Sequence, residues 1–128
     1  TVNRMEERRK RIRRVEDLTV YQKALELFHD FLEIDAPILL KHPLGRELAK
    51  NQVRSLDSIC ANMEEGFSRK KGKEFKRFLR ISEGSARESK GRYGRMRKFL
   101  SDEITDRRIK QADTILAMLY SMIRNIPD

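Results

Sequence analysis

Apolar side chains recur at helical spacing along almost the whole of this chain. Val20, Ala24, Leu27, Phe28, Phe31 and Ile34 share one face of a 3.6-residue helix. Thr19-Val20-Tyr21-Gln22 fits a capping box at its start, and Pro37 predicts its end. Lys41-His42-Pro43-Leu44-Gly45 reads as a connector. Leu48, Gln52, Leu56, Ile59 and Met63 predict a second helix over about 46–65, with Gly66 placed to stop it from the left-handed C′ position. A third is predicted over about 73–100, with Phe75, Ser82, Ala86, Ser89, Tyr93 and Leu100 inward, flanked by Phe78, Leu79 and Met96. The small residues in its middle let a neighbouring helix come close. Asp102 and Glu103 suit the start of a fourth, over about 102–125, which buries Ala112, Ile115, Leu116, Leu119, Met122, Ile123 and Ile126. Long helices joined by short connections pack antiparallel. The pattern therefore predicts an all-α, up-and-down antiparallel four-helix bundle over 15–128, preceded by a basic arm over 1–14.

Composition agrees with that pattern. The chain has 128 residues, 38% of them hydrophobic and 38% charged, enough for one domain with a core of its own. A single cysteine, Cys60, excludes an internal disulfide and a cysteine-based metal cluster. No apolar run approaches the roughly 18–20 residues of a membrane span, and the charged first residues lack the apolar stretch of a secretory signal. A cytoplasmic location away from membranes is the expectation.

Charge changes the picture more. The net charge of +9 favours an anionic partner, and it is unevenly spread. Residues 66–98 carry thirteen basic and three acidic side chains, and residues 1–14 carry seven and two. On the third helix, Lys73, Lys76, Arg77, Arg80, Arg87 and Lys98 fall within a sector of about 100°, away from the inward line. Arg69, Lys70 and Lys71 lead into it. Such a strip suits a phosphate backbone, whose counterions it would release. The arm residues Arg8, Arg9, Arg11, Arg13 and Arg14 could fold onto nucleic acid or serve as a solubilising tail.

No catalytic constellation accompanies this charge. Glu26-Leu27-Phe28-His29 supplies only one of the paired Glu-x-x-His motifs that a bundle metal site needs, so neither metal nor cofactor is expected. His29 and His42 read as surface residues, and Cys60 as a small core side chain. Tyr21, Tyr93 and Tyr120 read as core-edge aromatics. Gln52 and Asn62 read as amides that fix helix register, and Glu88 as a partner for Arg54 across the bundle. Lys70-Lys71-Gly72-Lys73 lacks the spacing of a phosphate loop.

Three blocks in order carry a family resemblance over roughly residues 15–125. Asp17-Leu18-Thr19-Val20-Tyr21-Gln22-Lys23-Ala24 is the first, and Gln52 through Gly66 is the second. The third is Lys73-Glu74-Phe75-Lys76-Arg77-Phe78-Leu79, followed by Gly84-Ser85 and Glu88. Together they resemble the small four-helix-bundle proteins encoded within intervening sequences of 23S ribosomal RNA genes. Met63-Glu64 and Ser55 depart from that pattern; a charge at Glu64 implies a solvated turn or a basic neighbour. The resemblance implies a homo-oligomer, commonly a pentameric ring, with no known enzyme activity. A related branch, the accessory variability determinants of diversity-generating retroelements, implies binding to nucleic acid and to a reverse transcriptase. The function expected is non-enzymatic binding of RNA or DNA through the basic face. The alternative is a scaffold that binds a reverse transcriptase or another acidic protein.

Overall fold

The computed structural model describes residues 12–69 and 72–127, and the described residues form four long helices with no strand. The chain enters through a 3₁₀ turn, Val15–Asp17, held by the Asp17 carboxylate, which accepts the backbone N–H groups of Arg13 and Arg14 at 3.0 and 3.1 Å. Those two bonds hold the Asp17 carboxyl below its usual range. Val15 and Leu18 turn inward and are buried.

The first helix, α1, is α-helical over Thr19–Asp30, widens into a π-helical turn over Phe31–Asp35, and finishes as α-helix over Ala36–Leu39. The predicted capping box does not form. Buried Leu18 takes the extended N-cap position, and the Gln22 side chain reaches past it to the Glu16 carbonyl at 2.9 Å. Nor does Pro37 end the helix. Proline has no N–H to donate, and its ring collides with the carbonyl four residues earlier in a regular helix. The wider turn just before it, closed by the Ala36 N–H on the Phe31 carbonyl, accommodates the ring. The extra residue also rotates the inward face. Phe31 is followed inside by Asp35 and Leu39, while the predicted core residue Ile34 is left 42% exposed.

Helix α2 spans Pro43–Arg69, longer at both ends than its stripe predicts. Pro43 is its first residue, where a missing N–H costs nothing. Gly66 does not stop it, being buried inside the helix: a Cβ there would stand 2.8 Å from the Phe78 Cβ and 3.1 Å from the Phe75 ring. Close approach of the next helix is the reason for this glycine. That helix, α3, spans Gly72–Gly94 and is shorter than predicted. The chain then leaves it in tight turns that bury Met96 and Leu100. Helix α4 spans Asp102–Asn125, as the sequence predicts, and the Ser101 hydroxyl caps it by accepting the Ile104 N–H at 3.2 Å.

Each helix packs against its sequence neighbours, and α1 closes the bundle against α4. The α2–α3 contact is the most extensive. Ser82 donates to the Ile59 carbonyl at 2.9 Å, the Ser58 and Ser85 hydroxyls meet at 2.8 Å, and the fully buried Gln52 amide donates to the Ser89 carbonyl at 2.9 Å. These pairings run in opposite chain directions, so the helices are antiparallel. Leu27, Leu39, Leu56, Met63, Leu79, Ala86, Tyr93, Ala112, Ile115 and Leu119 form the solvent-free centre. Phe75 and Phe78, predicted inward, are only half-buried.

One part of this core is ionic. Arg108, on the inward line of α4, donates Nε and Nη2 to the two Asp35 carboxylate oxygens at 2.9 and 3.1 Å. Tyr93 donates its hydroxyl to the same carboxylate at 2.8 Å. Asp35 and Tyr93 are wholly enclosed, and Arg108 is 2% exposed. Arg108 Nη1 reaches Gln111 at 3.0 Å, and Gln111 in turn donates to Asp30 at 3.0 Å, carrying the network towards the surface. Burial opposes the charge on Arg108, but the hydrogen bond and charge of Asp35 outweigh it and raise the guanidinium's pKa. Burial and the adjacent carboxylate push the Tyr93 phenol up as well, so it stays a donor. Cys60 is buried, and its thiol is pushed up to about 12 by burial and the nearby Glu64, which leaves it protonated and inert.

Candidate nucleic-acid interface

The cations of 66–98 sort into two groups once the helices are in place. Those that face α4 are neutralised. Lys90 meets Asp113 at 2.6 Å, and Arg97 spans Asp102 at 3.1 Å and Asp106 at 2.6 Å; the two hydrogen bonds raise its pKa. Those on the outer face of α3 are mostly without a counter-charge. Among the described residues, no carboxylate lies within ion-pair distance of Lys73, Arg80, Arg87, Arg95 or Lys98. Exposed cations with no acidic neighbour keep their full field, which is what an anionic ligand senses.

At the Gly72 end of α3 the predicted residues take different parts. Lys73, Glu74, Lys76, Arg77, Arg80 and Ile81 line an open depression of about 450 Å³. Arg77 pairs with Glu74 at 3.2 Å and lays its guanidinium over the Phe78 ring, 4.6 Å from the centroid. Arg69 approaches the same ring at 5.9 Å while pairing with Glu65 at 2.8 Å. These two arginines are therefore partly committed within the protein. Lys76 is half-buried.

Beyond the middle of α3 the strip departs from the prediction. Lys98 is exposed, but the helix ends at Gly94, so helical spacing no longer places it on the same face. Arg95 takes that place. It stands eighteen residues after Arg77, five full turns, and its backbone N–H still bonds the Gly91 carbonyl at 3.2 Å. That spacing was the available signal for Arg95. Arg14 lies at 3.9 Å from Glu16 and from Asp17, while Arg8, Arg9, Arg11, Lys70 and Lys71 lie outside the described residues.

Beside this face runs a polar seam between α2 and α3. Half-buried Arg92 donates Nη1 to Gln52 Oε1 at 2.8 Å and to Ser55 Oγ at 2.9 Å. Burial, followed by the like charge of Arg95, lowers its pKa. Ser55 in turn donates to Glu88 at 3.5 Å, so Glu88 is held by Ser55 and not by Arg54, which points outward from α2. Gln52 bridges the helices as the register-fixing amide the sequence predicts, whereas half-buried Asn62 donates to the Ser58 carbonyl at 2.8 Å within its own helix. Glu64 is exposed and accepts the Tyr21 hydroxyl at 2.6 Å, so its partner is a phenol and not a base. Burial and then that bond raise the Tyr21 pKa. Tyr120 is 60% exposed with Arg124 over its ring, not a core-edge residue. His29 and His42 are exposed, as predicted. No helix among the described residues is long and apolar enough to cross a membrane.

Fold and surface together define a small antiparallel four-helix bundle with one cationic outer face. Over residues 16–121 the chain matches the family described as 23S rRNA-intervening sequence protein, and it belongs to that family. No curated protein and no solved structure gives a significant match.

Proposed function

We propose that this member of the 23S rRNA-intervening sequence family is a non-enzymatic protein that binds RNA or DNA through the outer face of α3, by charge and largely without base readout. The observation that carries the reading is the set Lys73, Arg80, Arg87 and Arg95, exposed and without carboxylate partners among the described residues, beside Lys90 and Arg97, which α4 neutralises. Contacts of this kind position a phosphate backbone but carry no sequence information. A binding role also fits the most strongly perturbed groups, the Tyr93 and Tyr21 phenols and the Cys60 thiol, which are buried in the bundle and not gathered in a cleft.

Titrating the protein with single-stranded RNA, single-stranded DNA and duplex DNA between 50 and 200 mM salt tests the reading, these being roughly the limits over which phosphate contacts are resolved. Micromolar or tighter binding that weakens steeply with salt is expected. No binding at the lowest salt overturns it and moves the basic face to an acidic protein partner, the reverse-transcriptase scaffold included.

Self-association, with the pentamer favoured, belongs to the same proposal. The exposed Leu32, Ile34, Leu40 and Leu44, at 41%, 42%, 49% and 72%, are apolar side chains available for contacts between copies. Light scattering is expected to report a closed oligomer; a monomer at micromolar concentration removes this part.

A further inference from the structure

Glycine inside a helix is destabilising relative to alanine, so each one needs a reason. Gly66 has one inside the protein, the approach of Phe78. Gly84 has none: a Cβ built there meets nothing within 4 Å. At Gly91 a Cβ would meet only the end of the exposed, flexible Arg95 side chain, at 3.3 Å. Gly84 lies in the interior of α3 and Gly91 in its last turn.

Helical spacing puts these two positions in the middle of the cationic face. Arg80 and Arg87 lie on one side of the line through Gly84 and Gly91, and Arg77 and Arg95 lie on the other. The basic face is thus two rows of cations with bare helix backbone between them. Arg80 and Arg87 are seven residues apart, about 10.5 Å along the axis.

We propose that a phosphodiester backbone lies in this channel, against the main chain of α3 at Gly84, with Arg80 and Arg87 closing on separate phosphates of the same strand. The proposal rests on the nucleic-acid reading above and adds where the strand sits and why α3 keeps glycine there. Charge selects the occupant. The same face of a second copy would bring Arg80, Arg87 and Arg95 against their own kind, whereas a polyanion satisfies both rows. Two acids border this face among the described residues: Glu88, between Gly84 and Gly91 on the Arg95 side, is drawn towards Ser55 in the α2–α3 seam, and half-buried Glu83, beyond Arg80 and Arg87, makes no ion pair with either.

The test is Gly84→Leu in the full chain, with Ala117→Leu on the exposed face of α4 as the control. Gly84→Leu removes no charge, fills open space and improves helix propensity, so its urea midpoint should equal or exceed that of the unmodified protein. Binding is measured with a 20-nucleotide RNA, the same sequence as single-stranded DNA, and as duplex DNA; the arm most affected identifies the strand held. At least a tenfold loss of affinity for Gly84→Leu, with Ala117→Leu unchanged, is expected. Unchanged affinity in all three arms for a folded Gly84→Leu overturns the channel and leaves the electrostatic reading standing. If the unmodified protein binds none of the probes at low salt, both fall together.

Discussion

Replacing Asp35 by alanine is expected to destabilise the protein by about 3–5 kcal/mol, the largest loss we anticipate from a single substitution. Asp35 is fully enclosed and accepts three hydrogen bonds, two from Arg108 and one from Tyr93. Without it the Arg108 guanidinium stays buried with no counter-charge, and the Tyr93 hydroxyl loses its acceptor. Stranding a buried cation costs much more than the net worth of the pair, because the desolvation already incurred is no longer offset. With a urea slope of about 2 kcal/mol per molar, the midpoint should fall by on the order of 2 M. The double variant Asp35→Leu, Arg108→Met removes both charges and should recover most of the loss, since a well-packed apolar pair can replace a buried ion pair at little cost. A single variant within 1 kcal/mol of the parent would show that water reaches Arg108 readily. An equally damaged double variant would show that the π turn needs the carboxylate itself.

This pair also marks how far the sequence reaches. Extending the inward line of α4 back from Ala112 by one turn meets Arg108, so a charged residue at a core position was visible. Its partner was not: Asp35 lies 73 residues away in the chain, and a carboxylate four residues after Phe31 reads as a surface side chain until Arg108 arrives from α4 to pair with it. Periodicity assumes a regular helix, and a proline absorbed by a π turn breaks that assumption without ending the helix. Gly66 failed for a related reason. Glycine serves equally for a left-handed cap and for a close helix crossing, and only the arrival of Phe75 and Phe78 from α3 decides between them. By contrast, the bounds of α4 were legible because Ser101, Asp102 and Glu103 act locally. The basic strip was legible as a charge count but not as a surface. Which of its members stay unpaired depends on Asp102, Asp106 and Asp113 arriving from α4, a tertiary fact.

Reversing that surface gives the largest expected functional effect. The double variant Arg80→Glu, Arg87→Glu should lower affinity for RNA or duplex DNA by on the order of 100-fold at 0.1 M salt. If each arginine neutralises one phosphate, two contacts with a salt exponent of about 0.9 each contribute roughly 60-fold at 0.1 M relative to 1 M salt. The introduced carboxylates add repulsion to that loss. The salt slope should fall by about 2, which a general loss of folded protein would not produce. Stability should change little, because both side chains are exposed and neither has a salt bridge to break. The matching double reversal Lys90→Glu, Arg97→Glu, on cations already neutralised by Asp113, Asp102 and Asp106, should cost far less affinity. If this second double variant proves as damaging as the first, binding follows net charge alone, and the outer face of α3 has no special part in it.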